Sequence, residues 1–321
     1  MRIRQWKIIL AGTALLACNW TIAAAGAEIE RESRNSVTEA LAVQPLDPAA
    51  MSGAGFVRVP PQREFDRCTQ GDVVSSPSRP NWDAGATTTQ CGILESDFGW
   101  LGQPMGGGIQ QRMLVSSMRF GLTPKLDLRW GLINRVSQSG AGSSPLVGVG
   151  DQCVNLTYRF LEQGRWVPAM AFSYGIKIPT ANPAKGFGTG FNDHQFAFIA
   201  SRDLGRNHLD FNTVGTLTGE AGGHDGAAQF GMALTRQMTG KLALILESYG
   251  GPQPGTADRY GAALSGVSFS LRSWLVLDGA YVKTYTAGAP RQQILFGFTF
   301  ATRPAFGTIP HGSKFARLLG R

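Results

Sequence analysis

Between residues 148 and 180 apolar and polar positions alternate in two successive runs. Val154, Leu156, Tyr158 and Phe160 interleave with Cys153, Asn155, Thr157 and Arg159. After a Gln163-Gly164 turn, Met170, Phe172, Tyr174, Ile176 and Ile178 interleave with Ala169, Ala171, Ser173, Gly175 and Lys177. A period of two places one set on each face of a strand and does not fit an amphipathic helix. The two runs read as a hairpin with one apolar and one polar face. A water-soluble sandwich would turn the apolar face inward, whereas a barrel in lipid would turn it outward.

The same rhythm predicts strands at 93–101, 109–122, 126–137, 151–161, 168–180, 194–204, 208–218, 227–238, 242–249, 259–271, 274–284 and 292–301. That is about twelve segments, each near the ~10 residues a tilted membrane strand needs. The connections 123–125, 161–167, 205–207, 239–241 and 272–273 are short. Those at 102–108, 138–150, 181–193, 219–226, 250–258 and 285–291 are mostly longer and rich in Gly, Pro, Ser and Asp. Short periplasmic turns and longer external loops give this alternation, with both chain ends on the periplasmic side. The expected fold is therefore all-β: a transmembrane antiparallel up-and-down barrel of about twelve strands.

The polar faces carry the charge. Leu126, Leu128, Trp130 and Leu132 lie opposite Asp127 and Arg129, and Leu242, Leu244 and Leu246 lie opposite Glu247. A charge on the lipid face costs ~2–4 kcal/mol at mid-depth, so the charged side is the lumen. The candidate lumen residues are Arg119, Asp127, Arg129, Arg159, Lys177, Asp210, Glu247 and Asp278. Opposed acids and bases across a narrow lumen would set solute selectivity through their field. The competing reading is that they pair into ladders that fill a closed barrel. Trp100, Trp130, Tyr158, Tyr174, Tyr249 and Tyr281, near segment ends, are candidates for interfacial girdles.

The chain ends differ from this body. Arg2, Arg4 and Lys7 precede an apolar run, and Ala25-Gly26-Ala27 before Glu28 is a cleavage pattern, so residues 1–27 read as a secretory signal peptide. Leu15-Leu16-Ala17-Cys18 also resembles a lipoprotein box, but the run of small residues continues past it and favours ordinary cleavage. Residues 28–90 hold clusters of Pro, Ser, Asp and Gly without a sustained period and form an irregular arm, either a periplasmic tail or a partial plug in the barrel mouth. Within it, Ser36-Val37-Thr38-Glu39 is a capping box for one short helix. Residues 91–301 form the barrel and 302–321 a basic tail.

The formal charge of +8 falls to +5 once the three basic residues of the signal are removed. The remaining bases are spread singly, with no stripe to neutralise a row of phosphates, which excludes nucleic acid as a partner. After the leader no apolar run approaches the ~20 residues of a membrane helix, so a membrane-spanning form must be a closed barrel. Three cysteines remain. Export makes a Cys68–Cys91 disulfide feasible, which would leave Cys153 free; the alternative is that all three stay reduced.

No catalytic signature emerges. His194 and His208 begin strands, His224 falls in a predicted loop and His311 in the tail, none with a neighbouring Ser on a lipid-facing strand position. Asp193-His194 reads as a satisfied loop-edge pair. No metal-ligand spacing or cofactor motif is present, and residues 186–190, GFGTG, lack the strand–loop–helix setting of a phosphate cradle and read as a flexible external loop.

At RFGLTPKLDLRWGL (119–132), GVGDQCVNLTYRF (148–160), IKIPTA (176–181) and QILFGFTFA (293–301) the chain resembles a family of Gram-negative outer-membrane transporters linked to the meta-pathway of phenol degradation. The resemblance covers residues 91–301 and implies a β-barrel passing small compounds, aromatic ones among them; it carries over no functional residues. One departure is that Phe300, in place of ending the chain as an aromatic assembly signal, is followed by the basic tail. The expected function is an outer-membrane channel for passive passage of small solutes, with membrane lipid as its other partner. A closed structural or binding barrel, and then a lipid-modifying enzyme, are the alternatives.

Overall fold

The computed structural model describes residues 72–106, 108–140, 144–252, 259–286 and 291–303. The signal peptide, the capping box, Cys68, His311 and nearly all of the basic tail lie outside the described residues. Twelve long antiparallel strands form the wall: β1 (Leu94–Gly106), β2 (Ile109–Thr123), β3 (Leu126–Ser139), β5 (Gln152–Leu161), β6 (Ala169–Ile178), β7 (Asp193–Leu204), β8 (Asn207–Glu220), β9 (Gly223–Gln237), β10 (Leu242–Pro252), β11 (Arg259–Arg272), β12 (Leu275–Thr284) and β13 (Gln292–Thr302). A short β4 (Leu146–Gly148) lies in the β3–β5 connection and pairs with β3 alone. Each wall strand pairs with its chain neighbour, and β1 pairs with both β2 and β13, closing the sheet. Closure leaves no edge, which is what lets strands cross lipid. Among the described residues no helix is long and apolar enough to cross a membrane.

The molecule is inverted relative to a water-soluble protein. Leu128, Trp130, Leu156, Tyr158, Phe172, Phe198, Met232, Leu246, Phe296 and Phe298 are exposed, while Asp127, Arg129, Asn155, Arg159, Asp210, Asn212 and Glu247 are buried. Both sets fall on the alternation predicted from sequence, so the apolar face is the outer one. Outer aromatics stack across strands: Trp100 on Phe296 at 4.7 Å and Phe98 on Phe298 at 5.3 Å. Trp130, Tyr158, Tyr174 and Tyr281 lie on this outer surface. Tyr249 does not; it is 3% exposed and faces inward. The reason is its parity, since it follows Glu247 by two and shares that residue's face.

Two predicted external loops are strand instead. β1 runs to Gly106 with β2 starting at Ile109, and β8 and β9 meet at Ala221-Gly222. Gly108 (φ 76°) and Gly222 (φ 101°) supply the left-handed backbone these turns need. His224 accordingly sits in β9, not in a loop. These segments are small and polar because they extend past the lipid, yet ladder hydrogen bonds do not depend on apolar side chains. At 15 residues each, β2 and β9 reach ~50 Å along the strand, beyond what an apolar band of about 25 Å requires. The connection from Glu162 to Pro168, expected to be a short periplasmic turn, is longer than either of these, so loops sort less cleanly by side than the sequence suggested.

The β6–β7 connection is also more ordered than expected. It opens with a 3-10 turn, Pro183–Lys185, capped by the Asn182 side chain, and it buries Phe187 against Gly148. Cys91 and Cys153 are both disulfide-bonded, which corrects the expectation of a free Cys153.

Phe296, at the middle of β13 and 53% exposed, tests which face meets lipid. Phe296→Arg is expected to lower the stability of the barrel folded in phospholipid vesicles by about 2–4 kcal/mol, measured by reversible denaturant titration. A loss below 1 kcal/mol would place that face away from lipid.

Candidate functional site

The described part of the arm, residues 72–92, has almost no regular structure and lies inside the barrel. An irregular segment in such a place must find partners for its backbone groups. It finds them on the inner wall, strand after strand. Ser76 N–H donates to Glu95 on β1 (2.7 Å), and Arg119 on β2 contacts both Glu95 and the Ser76 carbonyl. The Arg79 guanidinium then meets Asp278 on β12 through two 3.2 Å contacts. Trp82 N–H donates to one oxygen of Glu247 on β10 (2.9 Å) and Asp83 N–H to the other.

The path continues across β8 and β7. Asn212 brackets Ala84, accepting from its N–H at 3.3 Å and donating to its carbonyl at 2.9 Å. Ser201 accepts from Ala86 N–H at 2.7 Å and donates to Asp210 at 2.5 Å. Thr89 N–H reaches Asp127 on β3 at 2.9 Å, and Thr88 donates to the Pro124 carbonyl in the β2–β3 turn. Cys91 bridges Gly121 on β2, and the chain enters β1. The arm has then travelled once around the wall. Most of its anchors lie within about six residues of the turns expected on the periplasmic side, so the circuit occupies that half of the lumen.

Wall glycines make room for it. A Cβ at Gly99 or Gly297 would overlap the Arg79 guanidinium, and one at Gly231 would overlap Trp82 and Asp83. At Gly121 the Thr89 and Gln90 carbonyls press against the strand. The Trp82 ring lies parallel to Tyr249, with centroids 5.0 Å apart and planes 4° from parallel, and Tyr260 is tilted against Tyr249 at 5.9 Å.

The predicted lumen residues fall into three groups. Arg119, Asp127, Glu247 and Asp278 bind the arm directly, and Asp210 acts on it through Ser201. Arg129 and Arg159 are buried on the same inner face; Arg129 sits opposite Arg119 in register, and Arg159 donates to the Pro124 carbonyl. Lys177 stands apart toward the opposite end of the barrel, paired with Asp193 (2.5 Å) and Asp151 (3.7 Å) and donating to Thr189 at 3.0 Å. Glu95, Asp97, Ser201, Asn212 and Tyr249 also belong to the inner site and went unpredicted. Asn212 and Tyr249 were detectable by parity, and the inward glycines marked where something must lie close.

The histidines show no nucleophilic arrangement. His194 meets Tyr174 at 2.8 Å while Asp193 points to Lys177 and to Gly219 N–H, so the two neighbours face opposite sides. His208 bonds Asp203 (2.6 Å) and Asp210 (3.0 Å), and Asp210 stands between it and Ser201. Among the described residues no cluster of His, Cys, Asp and Glu could hold a metal ion.

No protein-family model matches the chain, and no curated protein matches it. Solved structures do. An outer membrane channel from Pseudomonas putida F1 aligns with TM-score 0.53 at 14% identity, over 71% of this chain and 100% of that one. The KdgM porin, solved with disordered oligogalacturonate, aligns with TM-score 0.43 at 8% identity over 65% and 98% of the two chains. The CymD monoaromatic hydrocarbon channel aligns with TM-score 0.39 at 9% identity over 66% and 88%. At these identities the first likeness shows a shared barrel fold.

Glu247→Ala leaves the Trp82 and Asp83 N–H groups without acceptors. Arm docking is expected to weaken by roughly 2–6 kcal/mol, read as lost hydrogen-exchange protection at residues 82–84 in the folded barrel. Unchanged protection would remove Glu247 as the anchor. A pH dependence accompanies it. Burial pushes the Asp83 carboxyl up from 3.8 to about 10, aided by the nearby Glu247 and Asp210 carboxylates. A raised value in the docked state means docking is fully supported below pH ~4 and loses that support as pH climbs toward 10. The ratio of arm protection in the wild type to that in Asp83→Asn is expected to fall across that window; a flat ratio would refute it.

Proposed function

We propose that this protein is an outer-membrane channel for passive passage of small solutes, narrowed in its periplasmic half by its own N-terminal arm. The observation that carries the reading is the closed barrel whose inner face is charged and holds an irregular resident segment by side-chain hydrogen bonds. Apolar residues on the outside and paired charges inside support placement in lipid. Arg129 and Arg159 near the arm supply a field that would weigh on charged solutes.

A second reading has its own support. Four of the predicted lumen charges are occupied in holding the arm, which is what a closed structural barrel would do with them.

Planar-bilayer conductance of three refolded forms separates the two. The forms are the chain from Glu28, the same chain lacking residues 28–90, and Gly231→Val, whose side chain would collide with Trp82. A channel gives discrete steps that grow in the second and third forms, and Arg129→Gln shifts its ion selectivity toward cations. Silence from all three, with heat-modifiable gel mobility proving a folded barrel, would establish the closed reading.

A further inference from the structure

At one end of the barrel β1 begins and β13 ends. Each of the five turns at this end carries a base or is flanked by one: Lys125, Arg165, Arg206 and Lys241 in the turns, and Arg272 as the last residue of β11. All are exposed except the half-buried Arg206. The acids among the described residues of these turns and their flanks, outside the lumen, are already engaged, Glu162 with Lys125 at 3.7 Å and Asp203 with His208 at 2.6 Å. The opposite end also carries exposed bases, Arg112, Arg135, Lys185, Arg259, Lys283 and Arg291, beside Glu220 and Asp225, so what sets this end apart is the pair of turn tryptophans next to its bases.

Large apolar side chains stand beside these bases. Trp166 is 78% exposed, next to Arg165, whose guanidinium carbon lies 5.2 Å from the indole centre. Trp274 is 46% exposed, two residues from Arg272. The Arg165–Trp166 loop is held in place, because Arg202 donates to the carbonyls of both residues at 2.8 and 3.1 Å. A fixed indole next to a cation suits the membrane boundary, where the ring enters the acyl region and the cation meets a phosphate.

We propose that this basic and aromatic rim binds the headgroups of anionic phospholipids in the periplasmic leaflet, with the Arg165–Trp166 loop as its principal contact. The proposal rests on the reading of the protein as a membrane barrel with its termini on the periplasmic side. Charge complementarity selects the occupant: five bases spaced around a ring at headgroup depth match a leaflet of separate phosphates, whereas a single acidic protein would need them on one patch. Phosphates held by guanidinium groups accept charge-assisted hydrogen bonds. Salt should weaken the contact, since all of these bases but Arg206 are open to solvent.

The test uses the full chain from Glu28 refolded into vesicles of phosphatidylcholine mixed with phosphatidylglycerol, then extracted for native mass spectrometry of retained lipid. The wild type is expected to retain phosphatidylglycerol over phosphatidylcholine, with the preference falling about fivefold for each base removed in Arg165→Gln, Lys241→Gln and Arg272→Gln. Lys185→Gln with Lys283→Gln, at the other end, should leave the preference intact. Equal retention of the two lipids by the wild type, or equal losses from the two sets of variants, overturns the proposal. A preference that survives in the triple variant, or a rim that prefers an acidic periplasmic protein over phosphatidylglycerol vesicles in competition, overturns it as well. Gel mobility confirms that each variant is folded, and the measurement does not depend on conductance, so a closed lumen would leave it unaffected.

Discussion

An irregular peptide inside a barrel is tenable only if its backbone N–H groups find acceptors, because each buried donor left alone costs about 1–3 kcal/mol. The wall meets that requirement with side chains. Glu95, Glu247, Asn212, Ser201 and Asp127 each accept an N–H from the arm, one or two per strand visited. Carboxylates suit the task, since hydrogen bonds to a charged acceptor are stronger than neutral ones. The same acids that look like selectivity groups from sequence are therefore also the frame on which the arm is hung. Arg79 reverses the roles, bringing a guanidinium from the arm to Asp278 on the wall.

Acceptors alone would not let a backbone come close enough to use them. Carboxylate side chains are short, and neighbouring inward side chains would hold the arm away. Gly99, Gly297 and Gly231 remove that obstruction where Arg79, Trp82 and Asp83 lie. In a strand interior glycine normally weakens the sheet, and here the cost falls where an arm residue fills the space a Cβ would need. Gly231 shows both halves of the arrangement, lying beneath the Trp82 ring that stacks on Tyr249.

The wall was legible in the sequence because its two solvents are so different. Lipid outside and a largely polar inner face impose alternation, and Leu242 to Glu247 or Ile294 to Phe300 show it, broken only by the inward Ile245 and Leu295. Tyr249 was misplaced by its nearness to a strand end, although its parity with Glu247 assigns it to the inside. The extensions at residues 102–106 and 219–226 were hidden because strand beyond the membrane needs no alternation. The arm was expected, but its path along the wall was invisible for a related reason. Its partners are chosen by backbone N–H groups, which every residue but proline possesses, so Trp82 to Thr89 carry no periodic mark of the wall they follow.

That difference bears on how the arm and the lumen charges function together. The wall's specificity lies in its side chains and the arm's in its backbone, so a substitution in the arm leaves most docking bonds intact, whereas one at Glu247 removes two at once. Sensitivity is thus concentrated on the wall. Charges toward the opposite end of the barrel follow a separate logic, for Lys177 binds Asp151 and Asp193 and makes no contact with the arm among the interactions described. The lumen accordingly has two charged levels, one that holds a resident segment and one that pairs within the wall.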